Sequence, residues 1–191
     1  MNYCRLTFAQ QDIIMKKSKL LFIIFIFTGY FTAKAQDTTT YTNKKFHFYI
    51  SLPSNWTENK ADEKGNKSFV GVSPAESSDD SFFENVIVST TPNIDQNLKS
   101  YFKDRVNRIK FSVKEFHHEG EGDEEINLLK AKFVIYTFDY NGVTMEMIAY
   151  IFVKNKTAFV ITGSALQSTF DSYKDKFQDI ARSFKVEDIK H

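Results

Sequence analysis

The 191-residue chain has one cysteine, Cys4, close to its start. That scarcity excludes a disulfide framework, a CxxC redox pair and thiolate metal sites. Proline is nearly as rare, at three, and glycine numbers only seven. No Pro-rich linker, phosphate loop or dinucleotide glycine fingerprint can be read anywhere in it. A strong charge of either sign is also missing, the formal net charge being +1 at pH 7. Long apolar runs are confined to one place, the amino-terminal end.

There, Met15 opens "MKKSKLLFIIFIFTGYFTAKAQ". Lys16, Lys17 and Lys19 precede an apolar run from Leu20 to Phe31, and Ala33-Lys34-Ala35 forms a small-x-small cleavage site before Gln36. This order is that of a secretory signal peptide over residues 15–35. A membrane anchor is the rival, and length decides against it. The run would rise about 18 Å as a helix, against a hydrocarbon core about 30 Å thick. Residues 1–14 add nothing to the pattern and are read as a mis-assigned start. Without residues 1–35 the 25 basic residues fall to 20 and the 24 acidic ones to 23. A mildly acidic exported chain has no electrostatic reason to hold phosphate backbones, so nucleic acid is excluded as a partner.

Apolar and aromatic residues are what the chain does have: 42% hydrophobic, with 20 Phe and 9 Tyr. Lacking disulfides, its stability has to come from burial, and each buried ring removes about 150–250 Å² from water. After a polar, flexible lead-in at 36–43 ("DTTTYTN" from Asp37), Phe46, Phe48, Ile50 and Leu52 alternate with His47, Tyr49 and Ser51. Period two predicts a half-buried strand, ended by the turn chemistry of Pro53-Ser54-Asn55 before the lone Trp56. Strands are expected again at Ser68–Ser73 and Asn85–Thr91. Leu98, Phe102, Val106 and Ile109 share one side of a helix, capped by Asn93 with Gln96 or by Asp95.

From Val113 a strand is expected to run into an acidic turn. "LLKAKFVIYTFDY" and "VTMEMIAYIFV" then flank Asn141-Gly142, a strong hairpin signal, and Asn155-Lys156 precedes "TAFVITGSAL". These three strands are apolar on both faces, as at a sheet centre covered on both sides. The closing helix starts at Ser168, with Asp171 three positions on, and carries Phe170, Tyr173, Phe177, Ile180, Ala181 and Phe184. Residues 44–186 thus read as a single domain and 187–191 as a tail.

A first strand ending "ISLPSNW", a middle helix, a three-stranded meander and a closing "TFDSYKDKFQDIARSFKV" helix resemble the Mog1/PsbP-like superfamily. That group contains photosystem-associated PsbP-like proteins, Ran-binding Mog1 proteins and small exported bacterial DcrB-like proteins. The resemblance implies an α+β fold, an α/β/α sandwich with a central antiparallel sheet of about six strands flanked by helices. It implies no single function. No residue here matches the Ran-contact or manganese-cluster roles.

The densest polar constellation is "EFHHEGEGDEE": Glu115, His117, His118, Glu119, Glu121, Asp123, Glu124 and Glu125. Imidazole with carboxylates suits Zn²⁺, and carboxylates alone suit Ca²⁺. Adjacent histidines on a strand point to opposite faces, however, and the spacing matches neither HExxH nor an EF-hand. A solvated turn needs the same residues and is the preferred reading. Trp56 is expected to seal one end of the core rather than stack on a ligand. His47 sits on the polar side of its strand, and Met145 and Met147 fill core. Ser164 in "TGSAL" lacks the second glycine of a nucleophile elbow.

The functional expectation is a non-catalytic exported binding or assembly factor of the cell envelope, periplasmic or secreted, without cofactor or metal, holding another envelope protein. One alternative is a carrier of a lipid or other apolar ligand, its excess aromatics lining a cavity. The other is a metal-binding or hydrolytic protein built on His117, His118 and the acidic segment.

Overall fold

Three two-residue turns organise the largest part of the molecule. Strands β6 (Lys114–Ile126), β7 (Leu129–Tyr140), β8 (Val143–Lys154) and β9 (Thr157–Leu166) follow one another as antiparallel neighbours. The connecting pairs Asn127-Leu128, Asn141-Gly142 and Asn155-Lys156 all have positive φ, between 49° and 84°. Paired left-handed residues are those of a type I′ turn, whose twist matches that of the flanking strands. The second and third turns are the expected ones. The first was not expected, because leucine is a poor occupant of a left-handed position.

The computed structural model describes residues 37–59, 67–80 and 82–187. The start reading at 1–14 and the signal peptide at 15–35 lie outside the described residues, as does most of the tail. Besides the meander, the chain forms β1 (Thr38–Asn43), β2 (Phe48–Pro53), β3 (Thr57–Asn59), β4 (Lys67–Val72), β5 (Asn85–Thr91), α1 (Leu98–Ser112), α2 (Phe170–Arg182) and β10 (Lys185–Val186). The main sheet has seven strands in the order β3-β4-β5-β9-β8-β7-β6, one more than expected, and a small sheet runs β1-β2-β10. Helix α2 and the small sheet cover one face of the main sheet, and α1 packs against β7 and β8 on the other.

Alternation along β8 divides the two cores. Ile148, Tyr150 and Phe152 face α2, while Met145, Ala149 and Ile151 face α1. On the α2 side Phe48, Phe152, Phe159, Phe170, Phe177 and Phe184 are all fully buried. At about 1.5–3 kcal/mol for each fully buried large apolar side chain, this is the layer that holds the fold together. Trp56 is 4% exposed and lies edge-on to Phe177, sealing that core as expected. Helix α2 comes so close to β9 that a Cβ built on Gly163 would lie 2.4 Å from Phe177 Cγ. Glycine is required there to admit the ring.

Several expectations need correction. The lead-in is strand β1, paired with β2 from Thr38↔Pro53 to Asn43↔Phe48, since β-branched threonines suit an edge. His47 is not on a strand but in the β1–β2 turn, with φ 51°. The cap of α1 is Asn97, whose Oδ1 accepts from Ser100 N at 3.0 Å, not Asn93 or Asp95. Position 169, not Ser168, precedes the first turn of α2. The acidic turn is instead the second half of β6, an edge strand of 13 residues. Period-two alternation is weak there because neither face of a solvated edge has to be apolar.

Candidate functional site

Among the described residues strand β6 bonds only to β7, and its other edge carries no strand. Two bulges interrupt its register, between Lys114 and His117 and between His118 and Gly120. His117 lies opposite Thr137 and His118 opposite Tyr136, on different faces of the sheet. The acidic residues are then divided among separate partners. His118 Nε2 lies 3.2 Å from Glu121 Oε2, and Thr137 Oγ1 donates to Glu119 Oε1 at 3.2 Å. Lys132 Nζ is 2.6 Å from Asp123 Oδ1, and Arg182 Nε donates to Glu124 Oε1 at 2.9 Å. Among the described residues no three His, Cys, Asp or Glu side chains converge as metal ligands would.

A second polar cluster gave no sequence signal, because its members come from three separate segments. Glu84 is 2% exposed. Its carboxylate accepts from Thr169 Oγ1 at 2.8 Å and from Ser73 Oγ at 3.3 Å. Beside it, Tyr173 Oη donates to Glu76 Oε1 at 2.6 Å. Burial, then the hydrogen bond to Glu76 and the nearby Glu84 charge, push the Tyr173 phenol well above its ordinary range. It is a donor held protonated, not a base. The Glu84 carboxylate sits at the start of α2, where the helix dipole favours an anion. This arrangement fastens the segment before β5 to α2 and leaves no reactive group free.

Ser164 is 2% exposed, and its Oγ donates to Met147 Sδ at 3.5 Å rather than to a base. Many of the aromatic rings fill the core under α2, while Phe102, Tyr136 and Phe138 line open grooves beside α1. Helix α1 carries Lys99, Lys103, Arg105, Arg108 and Lys110 against Asp104. It runs beside acidic β6, and a groove of about 480 Å³ separates them, lined by Lys99, Phe102, Lys103, Glu121 and Lys132. Lys132 reaches across it, 5.4 Å from the Phe102 ring centre while paired to Asp123. A basic helix thus stands beside an acidic edge strand.

No protein-family model matches the sequence, and no curated protein matches it. Solved structures do. The PsbP protein of the cyanobacterium Synechocystis sp. PCC 6803, CyanoP, superposes with a TM-score of 0.59 at 16% identity, over 80% of this chain and 94% of that one. LpqN of Mycobacterium tuberculosis, a protein involved in cell envelope biogenesis, gives 0.62 at 11% identity, over 80% and 91%. The large antiparallel sheet flanked by two helices is thus an α+β fold like that of these PsbP and LpqN structures. Among the described residues, no helix is long and apolar enough to cross a membrane.

Proposed function

We propose that this protein is a non-catalytic, exported binding factor of the cell envelope, which holds a partner protein along the outer edge of β6. The observation that carries the reading is the free edge of β6. On the side away from β7, this 13-residue strand has no ladder partner among the described residues, and it is bordered by exposed Glu115, Glu119, Glu121, Asp123 and Glu125. Carboxylates along an edge deter indiscriminate strand pairing, so the edge accepts only a partner of complementary charge. That partner presents a basic strand or surface. Export is supported by the signal pattern at 15–35, and an envelope setting by the likeness in fold to LpqN. A non-catalytic role is supported by the buried Glu84 carboxylate, which is engaged by Thr169 and Ser73, and by the buried Ser164 hydroxyl, which faces Met147 rather than a base.

Capture from native envelope extract tests it, comparing the wild-type protein with a Glu121→Lys, Glu125→Lys double variant. A specific protein is expected on the wild type, lost on the variant and released by salt. Capture indifferent to charge reversal, or none above the bare matrix, would overturn the reading.

A further inference from the structure

On the other flank of α1 lies a cleft of about 510 Å³ between the helix and the sheet. Arg105 and Arg108 line it from the helix, Tyr136 and Met147 from the sheet, with Ile109, Val113 and Phe138 adding apolar surface and Ser112 a hydroxyl. No carboxylate is among the lining residues. Two of its donors lack proper acceptors. Arg105 Nε is buried and has no hydrogen-bond partner among the described residues. Tyr136, 6% exposed, donates only to Met147 Sδ at 3.4 Å, and a thioether is a weak acceptor. Arg108 has a 3.4 Å contact from Nε to the Asp104 carbonyl, and its guanidinium lies 6.0 Å from the Tyr101 ring centre, again without a carboxylate.

A buried donor left unpaired is unfavourable, and such groups are few in folded proteins. Here a guanidinium and a phenol that share this fault face the same cleft. Burial pushes the Tyr136 phenol up to about 12, despite the opposing Arg105 charge, so it remains a proton donor at neutral pH. Both donors call for one anionic acceptor. The guanidinium fork fits a carboxylate, and the remaining walls suit an apolar body.

We propose that this cleft binds an organic monocarboxylate with an apolar body, its head group held by Arg105, Arg108 and the Tyr136 hydroxyl. The site goes beyond the protein-binding reading above and is independent of it, since it involves neither the β6 edge nor the acidic residues there.

Titration calorimetry with decanoate, below its micelle-forming range, tests the proposal on the purified protein. One saturable site is expected. Acetate and decanol, which carry only the head or only the tail, should each bind at least tenfold more weakly. Arg105→Met keeps the stem and removes the charge, and should weaken decanoate at least tenfold. Tyr136→Phe should weaken it severalfold with the fold intact, and it carries the test with Arg108→Gln if Arg105→Met fails to fold. Absence of saturable decanoate binding would overturn the proposal. So would equal binding of decanol, an undiminished Arg105→Met, or inorganic phosphate matching decanoate. Envelope capture by the Tyr136→Phe protein should be unchanged, so either proposal can fail without the other.

Discussion

Thr169 Oγ1 donates a 2.8 Å hydrogen bond to the buried carboxylate of Glu84, across 85 residues of chain. Thr169 occupies the cap position of α2, yet its hydroxyl makes no capping bond, its backbone being helical (φ −109°, ψ −11°) rather than extended as a capping residue's usually is. The bond joins the strap before β5 to the helix that covers the sheet. Glu84→Ala would leave the hydroxyls of Ser73 and Thr169 without their buried acceptor. We expect a loss of about 2–3 kcal/mol, since the acceptor removed is charged and its donors are part-buried. Thr169→Val should cost about 1 kcal/mol, and the double mutant less than the sum. Urea unfolding measures all three, and strict additivity would show that the two residues do not act as a pair.

Gly163 illustrates a different dependence. A Cβ there would meet three atoms of the Phe177 ring at 2.4–2.8 Å. The ring is fully buried and has nowhere to retreat. Gly163→Ala should therefore destabilise by about 1–3 kcal/mol through overpacking. Adding Phe177→Leu should recover part of that loss. If Gly163→Ala unfolds at the wild-type urea midpoint, α2 does not approach β9 as closely as described.

Leu128 is the reverse case, a residue whose replacement should help. It is 90% exposed, with φ at 65°, and makes the second position of the β6–β7 turn. A leucine side chain in the left-handed region costs about 1–2 kcal/mol, which glycine avoids while losing more chain entropy. Leu128→Gly should raise stability by about 0.5–1 kcal/mol, visible as a higher melting temperature. Asn127 should stay as it is, because its Nδ2 donates to the carbonyls of Arg182 and Phe184, each at 2.8 Å.

Glu146 gives a pH dependence with a definite sign. Burial first, then the neighbouring charges of Glu119 and Asp171, raise its pKa in the folded state. The folded protein holds this proton more tightly than the unfolded chain, so ionisation of Glu146 weakens folding as pH rises through that window. Glu146→Gln should raise the melting temperature at pH 7 and give no gain at pH 4, where the wild-type carboxyl is largely protonated. Equal gains at both values would assign the effect to packing rather than charge.

The fold was largely legible in order and less so in its edges. Phe48, Ile50 and Leu52 alternate and are fully buried, and Asn141-Gly142 makes the turn that its composition demands. Strand β5 occupies Asn85–Thr91, the run marked by its β-branched residues. The misreadings fell where burial no longer constrains composition. β1 is Thr-rich and mostly exposed, and the acidic half of β6 has solvent on its outer side. An edge strand needs only backbone pairing with its neighbour, and pairing leaves no alternation to read. The Arg105 cleft was likewise invisible, since Arg105 and Tyr136 are separated by a strand and each is ordinary in its own segment.

What the sequence determined by itself was the set of elements and the faces they bury, because periodicity, turn residues and aromatic content act within a few positions. Tertiary structure alone decided which polar groups meet. Glu84 finds Thr169, Asp123 finds Lys132, and Arg105 Nε is left with no acceptor among the described residues. Such contacts depend on how sheet and helices are stacked, and a buried polar atom is satisfied or stranded only once water has been excluded from around it.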